Sequence, residues 1–500
     1  MITFIILILS SCFLFLFFRL FANWPNRNTG CDAFNILLCA RDFRARRRLP
    51  ITVPPVFELE TREQWYPPGF IIFCSIFPEE WLRKNHWYLN HFVDFISFFL
   101  MFYFVAVQYQ HQNWALLAVA CYAMSPGLLN EFSSLNTRPF GLALFNLFLL
   151  TPWLIDGFLL SLTASIILGI LIFYSHKLTI QQLWFLLPVL SVVLREWQWL
   201  FLLGAIYLGS FAIWPSGFKR LIAAHTAIIR FWHHNWVNLG AHQVRQSSIY
   251  GDGITNTSFY QESWLKSCLS HLKDAAHQNY FILPVLATVS SIALDKFQAF
   301  CLAWILTVYF MAFIIHFIPF LRGIGMGRQY FKFALIPSLI LIFSSPITDY
   351  PFVIAAIVIA LVLQLRQYIK ILLNVYSNED VKQSATSDTE LNCLLDSVIG
   401  GAETCTMTIP VYLADFYAYK TLKPVYWGTH SDVFNSRLNN FFPILRLPLR
   451  KYLEDGATHL LLDTRYAEPS ELKLRESAML IEHGPYQYYS LDINFGKESQ

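Results

Sequence analysis

Apolar residues run along this chain in long blocks separated by short polar breaks. About 20 apolar residues cross a bilayer as one helix, so the blocks are read as spans. They fall at 3–21, 89–108, 113–130, 138–154, 157–175, 178–194, 198–214, 280–295, 300–318, 329–345 and 351–368, about eleven helices in all. The first block has no Lys or Arg before its apolar core, and Arg19 follows it. A secretory signal has the opposite layout, so the block is read as a retained transmembrane helix, with a signal sequence as the alternative. Two segments do not fit in lipid. Residues 22–88 are rich in Arg, Asp, Glu and Pro, and residues 215–278 in His, Asn, Ser and basic groups. Both are expected to be surface or re-entrant segments carrying amphipathic helices. Within 218–239, Phe218, Leu221, Ile222, Ile228, Ile229, Trp232 and Trp236 recur at roughly helical spacing beside Lys219, Arg220 and Arg230. That pattern fits an interfacial helix, or equally one packed on its own protein.

The last 130 residues read differently. Helical patterns at 386–399, 413–419 and 446–454 alternate with short strand-like runs at 405–409, 459–463 and 486–492. Alternation of this kind predicts a small α/β domain. The expected architecture is therefore an α-helical polytopic membrane domain over 1–370 and a soluble α/β domain over 371–500.

Composition agrees. Of 500 residues, 55% are hydrophobic, 17% aromatic and only 14% charged, with a net charge of +3; mean hydropathy is +0.44. That is too little charge to clothe a water-soluble protein of this length, and too little net charge to argue for nucleic acid. Disorder, collagen, coiled coil and small disulfide scaffolds are excluded as well. The nine cysteines have no metal-site spacing, and there is no HExxH, GxSxG or Walker A sequence. No metal or other cofactor is indicated.

With these spans, segments 22–88 and 215–278 and the tail share one face, with Arg138, Lys177, Arg322 and Arg328. The other face has only minimal loops. Chemistry is expected on the elaborate face. The excess of Arg there argues for a cytoplasmic position, but segments longer than about 60 residues cross membranes largely regardless of charge.

Five polar constellations interrupt the apolar pattern on that face. Asp32 lies about ten residues past the first span and opens an amphipathic stretch; it is a helix cap or a general base for a hydroxyl. Tyr66-Pro67-Pro68-Gly69 forms a rigid turn into a short helix. Residues 125–139 break two spans and place Glu131 and Arg138 there, as an acid and a phosphate ligand or as an ion pair with each other. His176 and Lys177 end another span, either as donors to a phosphate or sugar or as ordinary interfacial residues. Gly323, Gly325 and Gly327 precede Arg328, Tyr330 and Lys332, where close backbone approach and a guanidinium suit a phosphate.

In this order the constellations resemble those of the GT-C superfamily of integral-membrane glycosyltransferases, which use polyprenyl-phosphate-linked sugars. The resemblance runs from Gly30-Cys31-Asp32-Ala33-Phe34-Asn35 through Tyr66-Pro67-Pro68, Glu131 to Gly141 and His176-Lys177 to Gly327-Arg328-Gln329-Tyr330. It implies inverting sugar transfer to a lipid, glycan or protein acceptor, with Asp32 as base and Arg328, helped by Arg138, on the lipid phosphate. It implies an extracytoplasmic active face, in the periplasm or a lumen. Departures stand beyond Asp32, where many relatives carry His or another polar group and Asn35 is the candidate here, and at Met326-Gly327, where an acidic residue often precedes the Arg. The paired-acid metal motif of some relatives is missing, which points to metal-independent catalysis. Two other readings compete: a transporter or flippase for a lipid-linked saccharide, and a polymerase or ligase using His225, His233, His234 or His242. The first usually brings internal repeats, and none is found.

Overall fold

The computed structural model describes residues 2–24, 31–47, 56, 66–132, 135–234, 264–377, 379–398, 404–411, 413–428, 437, 440 and 449–491. The membrane-type part is a bundle of helices. Helix α1 spans Ile2–Asn23, α2 Cys31–Arg46, α3 Gly69–Ser75 and α4 Glu79–Phe102, which runs on into a π-helical turn. Then come α5 Gln112–Ala123, α6 Pro126–Phe132, α7 Thr137–Leu154, α8 Phe158–Phe173, α9 Lys177–Val193 and α10 Gln198–Ile213. Helices α11 Pro215–His234 and α12 Trp264–Gln278 lie in the long polar segment, and α13 Ile282–Val289, α14 Lys296–Phe317, α15 Leu335–Phe343 and α16 Pro351–Ser377 complete the bundle.

Among the described residues, four stretches are long and apolar enough to cross a membrane: Ile2–Asn23, Tyr88–Gln108, Lys296–Phe317 and Pro351–Tyr376. Other expected spans are shorter or broken. The 113–130 block divides into α5 and α6 because Ser125-Pro126 cannot continue a helix, and proline instead starts the next one. The 280–295 and 329–345 blocks hold α13 and α15, of 8 and 9 residues, too short to cross alone at about 1.5 Å per residue. Ahead of α15 the chain runs through short 3-10 turns over the Gly323–Gly327 region.

The bundle turns its apolar side chains both ways. Inside, Phe98, Tyr122, Phe145, Leu186, Trp304 and Phe333 are fully buried in one core. Outside, α1 exposes Ile5, Leu9, Phe13 and Phe17, and α16 exposes Val358, Ile359 and Val362. Such faces are suited to burial against lipid. At one end of the bundle the connections are brief and tied together. Tyr109 donates to Asp295 at 2.8 Å, Lys296 pairs with Glu196 at 2.6 Å, and Asp295 caps α14 in a capping box. The two polar segments lead to the other end.

The C-terminal part contains α17 Glu379–Val398, α18 Leu413–Thr421 and α19 Arg450–Glu454. Its strands are β1 Thr406–Ile409, β2 His459–Asp463, β3 Met479–His483 and β4 Tyr486–Ser490. They form one sheet in the order β1-β2-β4-β3; β1 and β2 are parallel and the other pairs antiparallel. The α/β reading holds, with β3 an additional edge strand. The expected interfacial helix is α11; residues 235–239 of that expectation lie outside the described residues, as do 446–448 and the strand end at 492.

Candidate functional site

The separated constellations converge at the elaborate end. Tyr66-Pro67-Pro68 delivers the chain to α3, and the Gly69 amide donates to the Tyr174 carbonyl at 2.6 Å. A Cβ on Gly69 would stand 2.5 Å from Ser175 Oγ and 2.8 Å from that carbonyl, so only glycine brings these segments together. Gly141 in α7 does the same for His176: a Cβ there would stand 2.7 Å from both His176 Cβ and Thr179 Oγ1.

Around these approaches the polar side chains interlock. Asn136 caps α7 through the Arg138 amide, and the neighbouring Thr137 hydroxyl lies 3.0 Å from Tyr66 Oη. Lys177 Nζ sits 5.4 Å from the centre of the Tyr66 ring, a cation–π contact. Glu131 accepts a hydrogen bond from Arg138 at 2.9 Å and forms an ion pair with Lys332 at 2.8 Å, so the third and fifth constellations meet through one carboxylate. Lys332 is 4% exposed, whereas Arg138 is 38% exposed. Burial opposes ionisation of Glu131, but Lys332 and Arg138 outweigh it and hold the carboxyl at about 2. His176 is buried beside these cations, its Nδ1 2.8 Å from Thr179 Oγ1. Burial first, then Arg138, Lys332 and Lys177, drive its pKa well below the ordinary histidine range, so it is neutral at pH 7.

A second layer lies behind. Tyr330 is fully buried and donates its hydroxyl to Gln181 Oε1 at 2.8 Å, while Gln181 Nε2 lies 2.7 Å from His225 Nε2. His225 stacks on Trp184, and burial together with Lys177 holds it at about 4. Tyr330 thus reaches the site through Gln181 and His225. A crevice between α9 and α11 opens here, lined by apolar Phe173, Ile180, Leu221, Ile222 and Ile228, with Tyr66, Lys177 and His225 among its walls.

Arg328 follows a different path. It is exposed, and its charge acts on His271 and Asp274 of α12. Asp32 is the second residue of α2; its side chain lies outside the described residues. Helix α2 nevertheless packs beside the site, because Ile36, Leu37 and Cys39 share a core with Phe70 and Ile71 of α3 and with Leu135 just ahead of α7. Among the described residues no group of three His, Cys, Asp or Glu side chains gathers as a metal site would require.

Lys332 and Gln181 were not singled out in the sequence as ligands or relays. A signal existed for Gln181: with Gln182 it interrupts the apolar run of α9 on a buried face. Polar groups at such depth are costly and mark functional positions.

No family model matches the sequence, and comparison with curated proteins finds no match. Solved structures do match. The apo oligosaccharyltransferase of Archaeoglobus fulgidus aligns over 95% of this chain and 72% of its own at 12% identity, with a TM-score of 0.55. The same organism's oligosaccharyltransferase AglB, in complex with an inhibitory peptide and a dolichol-phosphate, aligns over 91% and 69% at 12% identity, TM-score 0.53. ArnT from Cupriavidus metallidurans in the apo state aligns over 98% of both chains at 9% identity, with a TM-score of 0.45. The chain shares the fold of these oligosaccharyltransferase structures. With its bilayer-length apolar helices, the chain is an integral membrane protein of that architecture.

Proposed function

We propose that this protein is an inverting glycosyltransferase. It moves a sugar from a polyprenyl-phosphate donor to a lipid, glycan or protein acceptor at the extracytoplasmic face. The observation that carries this reading is the basic cluster at this end of the bundle: Lys177 against the Tyr66 ring and Arg138 on Glu131, beside the apolar crevice between α9 and α11. A polyprenyl phosphate has the matching form, an apolar tail and an anionic head. Held in the membrane plane, such a donor needs only its head group positioned, which lowers the entropic cost of reaction.

In the transfer, the acceptor oxygen attacks the anomeric carbon as the bond from that carbon to the phosphate oxygen breaks. The bonding pair leaves with the polyprenyl phosphate, and the acceptor proton passes to the Asp32 carboxylate. Lys177 and Arg138 stabilise the negative charge on the departing phosphate. Glu131 is already ionised and committed to Arg138 and Lys332; its role is to hold those cations in place. His176, neutral and buried, donates or accepts hydrogen bonds without adding charge. Tyr330 and Gln181 fix His225 at the crevice wall.

The test is retention of dolichyl phosphate and undecaprenyl phosphate by the purified protein, read by native mass spectrometry. Lys177→Ala and Arg138→Ala are expected to weaken retention about tenfold each, the worth of one charge-assisted contact of about 1.4 kcal/mol. Equal retention by wild type and both variants would remove the crevice from the account.

A further inference from the structure

The C-terminal domain does not stand apart from the membrane domain; it grips α2, the helix that begins at Asp32. On the membrane side, Arg41 bonds to Glu79 at the start of α4, and Arg44 reaches the same carboxylate at 3.6 Å and the Ser75 carbonyl at 3.2 Å. On the other side, the Phe34 ring lies 4.5 Å from that of Phe416 and 5.5 Å from that of Tyr419, both on α18. Arg41 also places its guanidinium carbon 4.9 Å over the Tyr419 ring, so one side chain touches both halves of the molecule. The apolar face of α2 is continuous with both: Ile36 and Leu37 share one core with Phe70 of α3 and with Leu413, Ala414 and Tyr417 of α18. A backbone hydrogen bond from the Val425 amide to the Val56 carbonyl, 2.8 Å long, adds a second tether to the first outer segment.

The geometry of α2 makes this a sensitive place to hold. Phe34 is two residues after Asp32, within the first turn of the helix. Phe416 and Tyr419 are three apart on α18 and share a face, so they form a two-ring seat for Phe34. The same end packs on α3 through Ala33 and Ile36, which share the core of Phe70, while the Arg41 and Arg44 contacts lie two to three turns away along the helix. Moving a reacting group by about 1 Å can cost about a hundredfold in rate, so a helix end that carries a base must be fixed from outside.

We propose that Phe416 and Tyr419 are positioning residues for the transfer reaction, and that the C-terminal domain sets the first turn of α2 through them. This rests on the reading of Asp32 as the base. The domain then acts on turnover and leaves donor binding, which lies across the site at the α9–α11 crevice, untouched.

The experiment is hydrogen–deuterium exchange on the full chain in detergent, followed by peptide mass spectrometry, with transfer rates from the cell's own lipid-linked donors as a second readout. Phe416→Ala is expected to raise exchange in 31–46 about tenfold while 296–317 stays as in wild type; Phe416→Tyr, which keeps the ring, is expected to restore it. Turnover at saturating donor falls about tenfold in Phe416→Ala with the donor KM within about twofold, and recovers in Phe416→Tyr. Unchanged exchange in 31–46, or a rise spread evenly over the chain, overturns the proposal. A rise in KM with turnover unchanged overturns it too. Full transfer by Asp32→Asn while Phe416→Ala still loosens 31–46 would instead remove the assignment of the base and leave the mechanical link standing. A dead Asp32→Asn beside an unchanged 31–46 in Phe416→Ala would do the reverse.

Discussion

Two clusters of buried charge in this bundle invite comparison. In the first, Arg19 of α1 pairs with Asp94 of α4 at 3.2 Å, with exposures of 0% and 1%. Tyr122 of α5 donates to the same carboxylate, and the Arg19 guanidinium lies against the rings of Phe15, Tyr122 and Phe132. The second is Glu131 with Lys332 and Arg138, where Lys332 is sealed and Arg138 is more than a third exposed. Both clusters join distant segments, but only the second leaves a cation open to solvent beside an apolar crevice. A closed pair fastens helices, whereas a half-open one presents a cation where solvent, and so a ligand, can reach it. The lone pair at membrane depth, the more conspicuous candidate by cost, is thus the structural one.

The largest expected effect comes from breaking the closed pair. Asp94→Ala strands Arg19 in the core and is expected to cost about 3–5 kcal/mol of stability, measured by thermal unfolding in detergent. The double variant with Arg19→Met removes the orphaned charge and is expected to recover most of that loss. If the single variant unfolds like wild type, the pair is not a fastener. In the open cluster, Lys332→Met leaves Glu131 with Arg138 alone. Transfer is expected to slow about tenfold through displacement of Arg138, while stability falls by about 1–3 kcal/mol for one lost buried partner. A stability loss matching that of Asp94→Ala would erase the contrast between the clusters.

The smallest effect is one of pH. The folded-state pKa of His176 is depressed, so protons bind the unfolded chain more readily and stability falls as pH drops below about 6.5. His176→Gln removes this term, and its unfolding temperature is expected to fall less than that of wild type between pH 7 and pH 5. Parallel curves would show that the histidine is not held neutral. Glu131 acts in the same direction in a lower window: with its pKa lowered to about 2, its contribution stands above the unfolded value of about 4.3 and is lost only as pH falls from there toward 2. The two titrations occupy separate windows.

Much of this was legible in the sequence, for identifiable reasons. The apolar blocks translate into helices because lipid leaves the backbone no other partner than itself. The polar breaks at 125–139, 176–177 and 323–332 stand out because charge is scarce elsewhere, and the structure joins them through Glu131, Lys332 and His176. The Glu131–Arg138 pair was one of two readings of its segment, and the pair is present. The role of Lys332 was not legible, since its partner lies about two hundred residues away and spacing carries no such information. Strand β3 escaped because its residues are half-exposed at a sheet edge, although Gly484-Pro485 between it and β4 is a turn signal. The shortness of α13 and α15 was hidden because an apolar run does not reveal where the helix inside it stops. The contact of α18 with α2 depends on two segments nearly four hundred residues apart.

The central claim is that sugar transfer occurs at this end of the bundle with Asp32 as base. The most direct measurement compares membrane lipids and glycans, by mass spectrometry, from cells making wild type and cells making Asp32→Asn at equal membrane levels. The account predicts that a glycosylated acceptor disappears in the variant while its polyprenyl-phosphate-linked sugar accumulates. An unchanged acceptor and an unchanged donor pool would contradict it.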